Sequence, residues 1–186
     1  MRRRFIPLLL LLPTLSLWSC STSDTNPIVD FGEGEGITYR EVNNFPVGPH
    51  DYTDWTTDAT WNKQERALFA DVNVDLNGAQ RTALFGETTV YPNPTRSGRA
   101  KWSVWPRNGS SGSAGPFTVR GVLVNRQYQS MVRFGPLPLT ANGLSAEFSY
   151  TQAGLSPREL YRLYYVVTDA SGLVYKGHGD VRYDPQ

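Results

Sequence analysis

The sequence predicts a mainly β protein, two antiparallel sheets packed as a β-sandwich, with a short helix on the N-terminal side of the folded part. Three observations carry this expectation. Eight or so short segments alternate apolar and polar residues or run apolar for a few positions, and each is bounded by Gly, Pro, Asn or Ser. No long helical period stands between them, which excludes a doubly wound parallel sheet. The composition is that of a folded, turn-rich chain: 39% hydrophobic, 12% aromatic and 19% charged, with 17 Gly and 13 Pro in 186 residues. That length suits one domain with a real core. A formal net charge of +1 offers no case for nucleic acid, and one Cys with two His cannot build a disulfide framework or a Cys/His zinc cage.

The chain opens with Arg2, Arg3 and Arg4, continues through an apolar stretch from Phe5 to Trp18 broken by Pro7 and Pro13, and reaches Ser19 and Cys20. A basic run followed by an apolar stretch too short to span a bilayer comfortably is the order of a secretory signal peptide, read here as residues 1–19. Residues 20–36 are polar and glycine-spaced and read as a flexible tether. Gly32, Gly34 and Gly36 lack a preceding strand, a Lys-Ser/Thr ending and a following apolar helix, so they are linker glycines rather than a nucleotide loop. The single folded domain is expected over 37–186, opening with a short edge strand at 37–42 and a loop through Pro46 and Pro49.

Trp61, Leu68 and Phe69 share one side of a 3.6-residue period while Lys63, Gln64 and Arg66 point away. This predicts a helix over 58–70, with Asp58 or Thr60 accepting its first amides. So short a helix is marginal alone, and the segment 57–70 is expected to lie as a cover on a sheet. Next, Val72, Val74 and Leu76 alternate with polar residues and run into Asn77-Gly78, which predicts a hairpin returning through 81–85. Further strands are expected at 101–105, 117–124, 128–134, 144–150, 160–168 and 173–183, with a long flexible loop at 107–115.

The residues Leu17-Trp18-Ser19-Cys20 resemble the lipobox of bacterial lipoproteins, with leucine three positions before the cysteine and a small residue immediately before it. The resemblance implies diacylglyceryl transfer to the Cys20 thiol, cleavage before Cys20 and acylation of the new amine, which would hold the protein on a membrane through its lipid. Ser21, standing where aspartate would signal inner-membrane retention, implies the outer membrane. An ordinary secretory signal cut slightly later would instead leave Cys20 a free thiol. Cleavage before Cys20 removes three of eighteen basic residues and leaves fifteen against seventeen acidic ones, so the mature chain is near −2 and attachment would rest on the lipid.

Leu155-Ser156-Pro157-Arg158-Glu159-Leu160-Tyr161 resembles the turn into strand F of immunoglobulin-like (Ig-like) and fibronectin type III-like sandwiches. In those folds a tyrosine hydroxyl reaches back across the corner, and Tyr161 is the matching position, a structural corner. Val90-Tyr91-Pro92-Asn93-Pro94 is similar to the opening of Ig-like modules in secreted bacterial proteins, where the prolines end one strand and set the chain into the next. Together these resemblances cover roughly residues 71–183.

Candidate chemistry is sparse. His178 lies between Gly177 and Gly179, and the cluster Asp169, Lys176, His178 and Asp180 could face one another across the final hairpin; His50 sits in a proline-flanked loop. No Gly-x-Ser-x-Gly elbow or His-Glu-x-x-His helix accompanies either histidine, so the chain reads as noncatalytic and no cofactor is implied. Asp51, Asp54 and Asp58 could collect oxygens around calcium, although they do not reproduce the twelve-residue calcium loop; helix capping and a solvated loop are the alternative.

Aromatic residues are the more informative surplus. Trp102 and Trp105 fall on opposite faces of a strand because their spacing is odd, and Tyr164 and Val166 lie opposite Tyr161, Leu163, Tyr165 and Val167. A sheet apolar on both sides needs a cover, from the 37–70 segment or from a partner. The candidate interaction surface is therefore Trp102, Trp105 and Tyr164, flanked by Arg96 and Arg99. Three readings follow: a structural or protein-interaction lipoprotein with an envelope protein partner, a carbohydrate-binding lipoprotein whose rings are flanked by Arg96, Arg99 and Asn108, and a small hydrolase built on His178 or His50.

Overall fold

The structure, a computed structural model, describes residues 27–33, 36–48, 50–107 and 116–185. The signal at 1–19, the lipobox with Cys20 and positions 108–115 with Asn108 lie outside the described residues. Eight strands and one short helix follow in order: β1 Thr56–Thr57, α1 Lys63–Ala67, β2 Phe85–Tyr91, β3 Arg99–Pro106, β4 Phe117–Val124, β5 Ser130–Leu139, β6 Leu144–Ser149, β7 Leu160–Asp169 and β8 Gly172–Arg182. They form a five-stranded sheet ordered β1-β8-β7-β4-β5 and a three-stranded sheet ordered β2-β3-β6, with every pairing antiparallel. The chain is a mainly antiparallel β protein of two sheets.

Alternation builds the core between them. Val90, Trp102, Val104 and Phe148 point in from the three-stranded sheet and meet Val119, Leu163, Tyr165 and Val167 from the other. Trp102 is 0% exposed, and its indole N–H donates to Thr88 Oγ1 at 2.9 Å, so the one polar atom of that large ring is satisfied inside the core. The sequence places Trp102 among the surface candidates; the structure corrects that, because the register of β3 turns its even positions inward.

A second core lies on the opposite face of β4 and β7. Val122, Val124, Tyr164 and Val166 are covered by Val29, Phe31, Trp61, Leu68, Phe69 and Leu76 of the same chain. Tyr164 is 0% exposed, beneath Trp61 at 5.6 Å between ring centroids, with its hydroxyl donating to Glu65 Oε1 at 3.0 Å. This also corrects the surface assignment of Tyr164. The cover begins earlier than the expected tether allows: Val29 N donates to Arg126 O at 2.8 Å, and the guanidinium groups of Arg126 and Arg162 lie 5.0 and 5.2 Å from the centroid of the Phe31 ring. Residues 29 and 31 belong to the folded domain because two large apolar side chains are buried there.

The expected helix over 58–70 contracts to the five residues of α1. Asn62 caps it in place of Asp58 or Thr60, accepting from Gln64 N and Glu65 N while Glu65 reaches back to Asn62 N. Trp61 cannot join the helix because its amide donates to Asn77 Oδ1 at 2.8 Å and its carbonyl accepts from Asn77 Nδ2 at 3.0 Å. The same two bonds explain why the hairpin expected over 72–85 is absent. The Asn-Gly turn forms, Gly78 N to Asp75 O at 3.0 Å, yet its flanks lie across the second core as irregular chain with Leu76 buried. The strand expected at 37–42 is likewise reduced to two isolated bridges at Arg40, to Pro46 and to Asn93.

Candidate interaction surface

The five residues of the candidate surface do not converge. Trp102 and Tyr164 are buried in separate cores. Trp105 is half-buried on the outer face of β3, beside the turn at Gly143, while Arg99 is exposed at the other end of that strand. Six residues of strand separate them by about 20 Å. Arg96 is exposed in the turn that precedes β3.

The polar cluster expected on the last hairpin divides into three separate pairs. Asp169 forms a two-pronged ion pair with Arg81 at 2.9 and 2.7 Å, whose hydrogen bonds hold the carboxyl below its ordinary range. Asp180 is gripped by Arg162 at 2.7 and 2.7 Å inside the protein. His178 Nδ1 lies 2.8 Å from Asp58, whose Oδ2 accepts from the Trp61 indole at 2.6 Å and whose carbonyl accepts from Lys176 Nζ at 2.7 Å. Burial pushes the fully buried Lys176 ammonium down. Among the described residues no hydroxyl or thiol hydrogen-bonds to His178. The Asp58–His178 pair ties the cover to β8, and His50 packs edge-on against Tyr52 in a different loop, with ring centroids 5.0 Å apart.

The calcium candidates diverge as well. Asp51 Oδ1 accepts from Thr53 N and Oγ1 at 2.8 and 2.7 Å, closing its own turn. Asp54 is buried and accepts from Thr38 N at 2.7 Å and Asp180 N at 2.6 Å. Burial, and then the charge of Asp180, push its carboxyl up to about 7, against the two backbone amides that favour the charged form. Among the described residues no group of three His, Cys, Asp or Glu side chains is placed to share a metal ion. The glycines flanking His178 mark close packing rather than turns: a Cβ at Gly177 would collide with Thr56 O, and one at Gly179 with the Trp55 indole.

Among the described residues, Ile28 is 54% exposed near the N-terminal side, and the other exposed large apolar side chains lie between 42 and 52, in a stretch that the sequence marks only by its prolines. Val42 is 77% exposed, Phe45 65%, Val47 38% and Tyr52 84%. Residues 39–47 double back on themselves through Glu41 N to Phe45 O and Val47 N to Tyr39 O, both at 3.0 Å. Arg40 fixes this hairpin. Its guanidinium donates to Asn44 O and Oδ1 at 3.0 and 3.1 Å and to Glu87 Oε1 at 3.1 Å, and Thr89 Oγ1 donates to Asn44 Oδ1 at 3.1 Å. These bonds cover the outer edge of β2 and leave Val42 and Phe45 facing solvent at the tip. Beside the hairpin, Tyr39, Val47, Pro92, Pro94 and Arg96 border a shallow concavity of about 520 Å³. Comparison with known protein families, curated proteins and solved structures gives no match.

Proposed function

We propose that this chain is a noncatalytic, lipid-anchored envelope protein whose fibronectin type III-like sandwich presents the 39–47 hairpin to a protein partner. The observation that carries the reading is the hairpin itself: three exposed apolar side chains on a backbone held to β2 by Arg40 and Asn44. Exposed apolar residues on a pre-ordered scaffold lose little entropy on docking, which is what a protein-binding surface requires.

Two features support the sandwich class. The order β2-β3-β6 over β8-β7-β4-β5 corresponds to strands A-B-E over G-F-C-C′ of fibronectin type III-like domains. Ser156 N donates to the hydroxyl of Tyr161 at 2.7 Å, the reach-back of a tyrosine corner at the start of strand F. The lipid anchor rests on the Leu17-Trp18-Ser19-Cys20 resemblance, with an outer-membrane location implied by Ser21. Carbohydrate binding is the second reading, supported by the concavity beside Tyr39 and Arg96 and weakened by the burial of Trp102.

Crosslinking in native membranes tests the partner. A stoichiometric protein captured by the wild type and lost from a folded Val42→Ser, Phe45→Ser variant supports the reading. Absence of any such partner, with binding on a glycan array instead, replaces it. Mass spectrometry of the membrane-extracted protein tests the anchor, with an acylated Cys20 as the N-terminal residue expected and an unmodified thiol overturning it.

A further inference from the structure

We infer that the corner formed by the Arg96 turn, the approach to β7 and the end of β8 is a binding site for a phosphate-bearing ligand. Arg96, Arg158, Arg182, Asp184 and Pro185 border a concavity of about 640 Å³, which adjoins the one beside the hairpin and shares Arg96 with it. Three segments distant in sequence are tied together beneath it by backbone bonds. Thr95 N donates to Arg182 O at 3.0 Å, Asp184 N to Thr95 O at 2.9 Å and Arg158 N to Tyr183 O at 2.7 Å.

Each arginine is therefore positioned by backbone. Arg182 is oriented further, with Nε donating to both oxygens of Asp184 at 3.0 Å and Nη2 to the Tyr39 hydroxyl at 3.1 Å. Arg158 sits at a φ of 65°, a left-handed conformation that a non-glycine residue adopts at a cost. Thr95, immediately before Arg96, is buried and donates to Arg99 O at 2.7 Å, which fixes the turn. The guanidinium groups of Arg96 and Arg158 are exposed and have no hydrogen bond or ion pair among the described residues.

Among the described residues lining the concavity, Arg96 and Arg158 have no anionic partner, and these two guanidinium groups match the double negative charge of a phosphate monoester near neutral pH. Guanidinium forks are suited to such an oxyanion because each offers paired N–H donors in a fixed plane. The phosphate could come from a lipid headgroup or from a soluble compound. The first described residues enter at this same end of the sheet, where Val29 N bonds to Arg126 O and Val124 pairs with Arg162. The site itself does not depend on the lipid anchor.

Calorimetry on the detergent-solubilised full chain tests the inference, using inorganic phosphate, a water-soluble short-chain phosphatidic acid and the matching phosphatidylcholine. Binding of phosphate or phosphatidic acid, weakened by about tenfold or more in an Arg96→Gln, Arg158→Asn variant that melts like the wild type, supports the site. Asparagine is chosen at 158 because it tolerates the left-handed backbone. Phosphatidic acid binding more tightly than phosphate assigns the headgroup as source, and equal affinities assign a soluble phosphate. No binding of either probe, equal binding of phosphatidylcholine, or undiminished affinity in the folded variant overturns it. If the double variant fails to fold, Arg96→Gln alone decides, since its side chain is unpartnered and lies in an exposed turn.

Discussion

The side-chain amide of Asn93, which follows β2 in one sheet, donates to the carbonyl of Asp180 in β8 of the other sheet at 2.8 Å. The same side chain reaches Thr38 O at 3.3 Å and accepts from Arg182 N at 3.1 Å, while its backbone pairs with Arg40. One asparagine thus joins both sheets and the N-terminal segment, and it is fully buried. Asn93→Ala leaves a buried amide and two carbonyls without partners and is expected to cost about 2–4 kcal/mol. Urea denaturation measures this, and a loss below about 1 kcal/mol would mean that water replaces the bonds.

Tyr161→Phe removes the single hydroxyl that accepts from Ser156 N, without changing ring packing. A loss of about 0.5–1.5 kcal/mol is expected. An unchanged denaturation midpoint would show that the corner bond contributes nothing to this fold.

Asp54 produces a dependence on pH with a definite sign. Its carboxyl is pushed up to about 7 in the folded protein from an ordinary 3.8, so between these values the folded state holds a proton that the unfolded state releases. Its contribution to stability is complete below about pH 4 and is lost as pH rises to about 7, with a limiting slope of about 1.4 kcal/mol per pH unit. Burial first, and then the neighbouring Asp180 carboxyl held by Arg162, oppose its ionisation. Stability of the wild type relative to Asp54→Asn should therefore rise on acidification from pH 8 to 5. A flat difference would show that the two backbone amides keep the carboxylate charged throughout.

Gly179→Ala inserts a methyl group into the Trp55 indole, which lies flat on β8 at that point. Overpacking of this kind costs about 1–3 kcal/mol. Combining it with Trp55→Ala should recover much of the loss, because the colliding ring is gone. Strictly additive costs would place the strain elsewhere.

The legible strands were those whose own side chains announce burial. The range 117–124 coincides with β4, and 160–168 falls one residue short of β7, because apolar runs bounded by turn residues have few other places to go. β2 is not legible over most of its length because Thr88 and Thr89 read as polar. Both are buried, and Thr88 is needed there to accept from the Trp102 indole. The alternation through Val72, Val74 and Leu76 misled for the opposite reason. A segment with no edge to pair with can satisfy the same side chains by lying across a sheet, as Asn77 does by bonding to Trp61. The exposed Val42 and Phe45 carried no periodic signal, and Arg158 and Arg182 were brought to the Arg96 turn by long-range pairing alone.

By itself the sequence determined the β class, most strand positions, and the opposite facing of Trp102 and Trp105. Those features follow from local periodicity and turn chemistry, which act over a few residues. Tertiary structure decided which face of β3 is inside, that residues 29–31 and 61–76 cover the outer face of β4 and β7, and that three distant arginines share one rim. Burial and charge clustering depend on contacts between residues far apart in the chain, and these come into being only when the sheets pack.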